Sequence, residues 1–131
     1  MATFSFQQVD VFASRPLKGN PLAVVIDADA ISKQTMAALA NWTNLSETTF
    51  LLRPTNPLAD YRVRIFTPER ELPFAGHPTL GSCQVWLSSG GKPKHAQIVP
   101  ECSVYVEREG NDIWIGGRTI TCIEGRLSVG Q

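Results

Sequence analysis

Two short stretches carry residue types suited to moving a proton: Asn44-Leu45-Ser46-Glu47 and Gly76-His77-Pro78-Thr79. Glu47 precedes the run Thr48-Thr49-Phe50-Leu51-Leu52 and has no charged neighbour between Leu45 and Phe50. Burying a carboxylate in such a stretch disfavours its charged form and makes it a better proton shuttle near neutral pH. A solvated glutamate at a strand start is the commoner arrangement, so both readings stay open. Pro78 suits the first position of a helix. That places His77 at or near the helix N-cap, where unpaired N–H groups and the helix dipole attract carboxylates and phosphates. An imidazole there can act as an acid, donate to a substrate, or simply cap the helix. Gly76 permits a close backbone approach.

Other polar residues read first as structure. Asn20 in Gly19-Asn20-Pro21 and Thr67 in Phe66-Thr67-Pro68 are turn residues before they are ligand-binding groups. Phe50, Phe66 and Phe74 read as core, because no basic residues interleave them as a nucleic-acid platform requires. Cys83, Cys102 and Cys122 are odd in number and widely spaced, and His77 and His95 fall in no metal-ligand spacing. Reduced thiols in a cytoplasmic protein are expected. Cys83, the nearest candidate nucleophile, lies about one turn too far into its helix. No glycine-rich stretch has phosphate-loop or dinucleotide spacing.

The elements that must position Glu47 and His77 follow from periodicity. Phe4–Phe12 alternates as a strand, and 15–21 is a turn-rich loop. Leu22-Ala23-Val24-Val25-Ile26 reads as a buried strand. Ser32 can cap a helix to about Thr43 with an apolar face of Met36, Leu39, Ala40 and Trp42. Strands are expected over 48–52 and 61–66, then a helix from Pro78 whose face is Leu80, Cys83 and Leu87, ended by Ser88-Ser89-Gly90-Gly91. Strands follow at 97–99, 104–108, 112–115 and 119–123, with antiparallel pairing suggested by their turns. Strands and helices outside βαβ order indicate an α+β fold rather than a doubly wound parallel sheet.

The 131 residues suit one domain. With 12 Lys plus Arg against 12 Asp plus Glu, no charge imbalance points to nucleic acid or an anionic membrane. No apolar run reaches membrane-spanning length, and the N-terminus lacks the pattern of a signal peptide.

Several segments together resemble the phenazine-biosynthesis PhzF-like family, within the diaminopimelate-epimerase-like fold. They are Val9-Asp10-Val11-Phe12, Gly19-Asn20-Pro21-Leu22-Ala23-Val24-Val25, Asn44-Leu45-Ser46-Glu47-Thr48, Arg64-Ile65-Phe66-Thr67-Pro68 and Glu71-Leu72-Pro73-Phe74-Ala75-Gly76-His77-Pro78-Thr79-Leu80-Gly81. The resemblance implies a curved, mostly antiparallel barrel-like sheet around a central helix. It implies that Glu47 is the acid/base and that His77 binds and polarises the substrate. Asn20, Ser46, Thr67, Gly76 and Thr79 would line the ligand, and no cofactor or metal would be needed. Ala75 matches a position that holds cysteine in the related epimerases, so a two-thiol racemase mechanism is not expected.

The resemblance also implies members of about twice this length, with two similar lobes around a cleft. Residues 1–102 match the first lobe, and 104–131 match the family's returning C-terminal strands. The expected architecture is therefore a single lobe over 1–131, completed by strands that supply their own sheet partners. Such a lobe loses the residues a second one brings to the cleft. Two copies about a two-fold axis would restore enclosure, and a homodimer acting on a small anionic metabolite is expected. The alternatives are a non-catalytic anion-binding module and a protein-interaction module.

Overall fold

A computed structural model describes residues 2–93, 104–109, 112–117 and 119–130. Strand β1 (Ala2–Val11) pairs antiparallel with β2 (Asn20–Ile26), from Ser5↔Ile26 to Val11↔Asn20. A short 3-10 turn (Ala28–Ala30) leads to helix α1 (Lys33–Thr43). Strand β3 (Thr48–Leu52) returns parallel to β2. β4 (Arg62–Phe66) and the two-residue β5 (Glu71–Leu72) continue the sheet antiparallel. Helix α2 (Gly76–Ser88) follows, and β6 (Val104–Glu109) and β7 (Asp112–Gly117) form a separate antiparallel pair. β8 (Thr119–Val129) runs back antiparallel along the whole of β1.

The main sheet has six strands in the order β5-β4-β3-β2-β1-β8. The α+β class is as the sequence implies, but the barrel is a curved sheet left unclosed among the described residues. One β2-α1-β3 unit is embedded in it, against the expectation that no βαβ order occurs. β8 extends to Val129 rather than stopping at Ile123. The strand expected at 97–99 lies outside the described residues.

The sheet carries a core on each face. Phe4, Val25, Phe50 and Phe66 pack with Ile31, Met36, Leu39 and Ala40 on the α1 side. Val9, Val11, Leu22, Val24 and Leu51 pack with Val85 of α2 on the other. Burial on both faces explains why Leu22–Ile26 is uninterruptedly apolar: with a period of two, each face needs every second residue. Phe50 and Phe66 meet edge to face, with centroids 5.6 Å apart at 88°. Ser32 caps α1 by accepting the Thr35 N–H at 3.1 Å. Asn44, at φ 56°, ends that helix in the left-handed conformation asparagine tolerates.

Three expectations about packing need correction. Trp42 is exposed, because at 3.6 residues per turn it lies about a third of a turn away from the Met36–Leu39–Ala40 stripe. Phe74 is also exposed, since the chain has left the short β5 edge at Pro73 before reaching the helix. The buried face of α2 is Pro78, Gly81, Ser82 and Val85, while Leu80, Cys83 and Leu87 are half-buried. Small residues bring this helix close to the sheet. A Cβ at Gly81 would sit 2.5 Å from Leu22 Cδ2 and 2.9 Å from Val11 Cγ2. Both side chains are fully buried and have nowhere to retreat. Gly81→Ala is therefore expected to destabilise the fold by about 1–3 kcal/mol, read by denaturant titration, despite alanine's better helix propensity.

Candidate active site at the mouth of helix α2

Glu47 sits between the C-cap of α1 and the first residue of β3. The Thr43 and Thr48 hydroxyls, 2.9 Å apart, tie these two ends together and fix the short connection that carries it. His77 is the second residue of α2. The elements bearing the two residues are pinned by a buried hydrogen bond of 2.8 Å between the Thr49 and Ser82 hydroxyls. Glu47 Oε2 and His77 Nε2 lie 3.2 Å apart, with side chains only 15% and 12% exposed. Those two atoms are buried and make no aligned hydrogen bond. The pair is close, sheltered and unsatisfied, as an acid–base pair awaiting a reactant would be.

The far side of the imidazole is fixed. His77 hydrogen-bonds to the Pro21 backbone, and proline offers only its carbonyl. With Nε2 turned to Glu47, Nδ1 is the nitrogen that donates to Pro21. Burial holds the His77 pKa below the ordinary imidazole range, outweighing the opposite pull of the Glu47 charge and the Pro21 bond. Burial therefore favours the neutral form of the imidazole.

Helix α2 starts at Ala75 without a side-chain cap. The Thr79 N–H and hydroxyl both return to the Ala75 carbonyl, at 3.3 and 2.8 Å. Gly76 is exposed, and a Cβ there would meet nothing within 4 Å, so the space beside the helix mouth is open. Asn20 is half-buried at the first residue of β2, next to the Pro21 that holds His77, and Ser46 is exposed beside Glu47. Thr67 lies one residue beyond the Thr48↔Phe66 pair, just past the end of β4. Its hydroxyl is occupied by the β4–β5 turn, accepting from Glu69 and Arg70 N–H groups at 3.2 and 3.0 Å and donating to the Arg70 carbonyl at 3.1 Å. The structure thus brings Glu47, His77, Gly76, Asn20 and Ser46 to one corner, and commits the hydroxyls of Thr67 and Thr79 to local turns.

Sequence reasoning did not single out the Pro21 carbonyl, the Thr49–Ser82 bond or Asp10. Asp10 is buried and its Oδ2 accepts the Gly19 N–H at 3.1 Å. A charge between Val9 and Val11 in a strand was the available signal. Cys83 is half-buried and hydrogen-bonded to Tyr61, and burial pushes its thiol pKa up, away from nucleophilic reactivity. Cys102 lies outside the described residues. Among the described residues no group of three or more His, Cys, Asp or Glu could hold a metal, and no helix is long and apolar enough to cross a membrane.

The α+β fold matches solved structures of PhzF-type proteins. A crystal structure of a PhzF-family phenazine biosynthesis protein from Bacillus anthracis superposes with TM-score 0.62 at 29% identity, covering 88% of this chain and 36% of that one. A structure described as a predicted epimerase from Pseudomonas aeruginosa gives 0.61 at 39% identity, covering 86% and 41%. The family model described as phenazine biosynthesis-like protein matches residues 9–106, and the chain belongs to that family.

Similarity to curated proteins is high over a limited span. Antisense-enhancing sequence 1 of Schizosaccharomyces pombe is 55% identical over 103 residues, which is 78% of this chain and 35% of that protein. Trans-2,3-dihydro-3-hydroxyanthranilate isomerase of Pseudomonas aeruginosa is 57% identical over 74 residues, 56% of this chain and 26% of that protein. The chain spans about a quarter to a third of the length of these two relatives.

Proposed function

We propose that this chain is a PhzF-like isomerase that moves a proton between carbons of a small carboxylate-bearing metabolite without a cofactor. The observation that carries this reading is the buried, unsatisfied 3.2 Å contact between Glu47 and His77 at the uncapped mouth of α2. Glu47 takes a proton from a carbon beside an activating group, and the C–H electron pair enters the adjoining π system. Protonated Glu47 exchanges its proton with solvent and then delivers one to another carbon of the same system, so no net oxidation occurs. The α2 N–H groups hold the substrate carboxylate, and neutral His77 orients the reacting face. Trans-2,3-dihydro-3-hydroxyanthranilate, named for the Pseudomonas relative, is the first compound to assay.

The site would be closed by a second copy of the chain. The exposed apolar side chains Phe12 and Leu17, in the loop leading to Asn20, and Phe74, two residues before α2, support a covered rim. Enclosure excludes water and strengthens the electrostatics of the pair. Sedimentation is expected to give a dimer, with specific activity falling on dilution through its dissociation range. A monomer at full specific activity would refute self-association. The free thiols Cys83 and Cys122 favour a reducing, cytoplasmic location.

The uncapped mouth of α2 also suits a second reading, a binding module that retains an anion without turning it over or that pairs with another protein. Its signature is a ligand-induced rise in Tm that survives Glu47→Gln and fails in His77→Ala, with no product formed by the parent.

A further inference from the structure

We propose that Asp10 is a positioning residue for the site, clipping the loop that leads into β2, where the Pro21 carbonyl fixes the His77 imidazole. The inference rests on the reading of Glu47 and His77 as a proton-transferring pair.

The chain of contacts is continuous. Asp10 is 4% exposed, and Oδ2 accepts the Gly19 N–H at 3.1 Å across the mouth of the 12–19 loop. Asp10 also stands opposite Pro21 in the β1–β2 register, with Val11 opposite Asn20. Pro21 in turn accepts from His77, which lies 3.2 Å from Glu47. Moving the Gly19–Pro21 segment therefore moves the acceptor that selects the Nδ1–H tautomer and aims Nε2 at the glutamate. An N–H donating to a carboxylate is roughly twice as strong as a neutral bond, which suits a clip.

The loop needs one. Phe12 and Leu17 adopt φ of 59° and 66°, a left-handed conformation costly for bulky side chains. The chain also passes tightly at Gly19, where a Cβ would fall 2.6 Å from both Ala13 Cβ and the Val11 carbonyl oxygen. A strained, crowded loop relaxes when its tether is cut, and the first residues to follow would be Asn20 and Pro21. Because Asp10 acts on the site through Gly19, its effect should fall on orientation rather than on substrate affinity.

The test compares the full-length parent with Asp10→Asn and Asp10→Ala by long-range proton–nitrogen NMR of the imidazoles, with His77 assigned through His77→Gln. The parent should show His77 as the Nδ1–H tautomer. Asp10→Ala should show a mixture of tautomers and a kcat at least tenfold lower, with KM within about twofold. Asp10→Asn, a shape match with a weaker acceptor, should exchange its Gly19 amide several-fold faster and show a minor Nε2–H signal. If Asp10→Ala does not fold, Asp10→Asn decides alone. Parent-like tautomer and Gly19 exchange in the folded variants would overturn the proposal. The tautomer readout needs no turnover, so a parent with no isomerase activity but an Asp10-dependent tautomer would defeat the enzymatic reading and leave this contact network standing.

Discussion

Replacing Glu47 with Gln is expected to slow isomerisation by about 10²–10⁴-fold, the usual worth of a positioned general base. The carboxamide matches the carboxylate in size and can still make hydrogen bonds, but it cannot accept a proton from carbon near neutral pH. KM should change little, because the carboxylate of the substrate is held by the α2 mouth rather than by Glu47. The Tm should also stay close to the parent value, since Glu47 Oε2 makes no aligned hydrogen bond that the substitution would break. Initial rates across a substrate range, together with a thermal melt, check all three outcomes. A variant with parental kcat would remove Glu47 from the mechanism.

The second large effect concerns His77 and carries a pH signature. His77→Asn is expected to lower kcat by about 10²–10³-fold, the scale for losing a preorganised polar group at developing charge. Burial keeps the native imidazole pKa below its ordinary value of about 6.5 in an unfolded chain. The native state therefore binds fewer protons than the unfolded state across the interval between the two values. Stability rises with pH through that interval: the contribution is complete above the unfolded value and is lost as pH falls through the native one. The parent should lose more stability than His77→Asn when pH is lowered from 7 to 5, as urea titrations at the two pH values would show. Its rate should fall over the same interval, because imidazolium would draw the Glu47 carboxylate into an ion pair. Matching pH dependence of stability in parent and variant would mean that His77 is not held neutral.

Legibility in the sequence differed sharply from element to element. The doubly buried β2 and the Ser32-capped α1 were readable, because period and cap chemistry are local signals. The α2 face was misread because its closest contacts are made by Gly81 and Ser82, residues whose contribution is smallness rather than hydrophobicity. The end of β8 was missed because Glu124-Gly125-Arg126 has the composition of a turn. Gly125 instead lies opposite Phe6 in the β1 ladder, a long-range pairing that no local window contains. The candidate site divides similarly. Glu47 and His77 are 30 positions apart, so only the resemblance of linked motifs paired them, and the structure then brings them within 3.2 Å. Thr67 was a turn residue and a ligand candidate at once, and its three bonds within the β4–β5 turn show the turn role. The Pro21 carbonyl was invisible because a backbone acceptor leaves no trace in residue type.

The measurement that bears most directly on Glu47 as the proton carrier is deuterium incorporation from heavy water, followed by mass spectrometry. Parent protein incubated with trans-2,3-dihydro-3-hydroxyanthranilate should place solvent deuterium on a ring carbon, and Glu47→Gln under the same conditions should not. Equal labelling by the two proteins, or none by the parent at any protein concentration, would contradict the account.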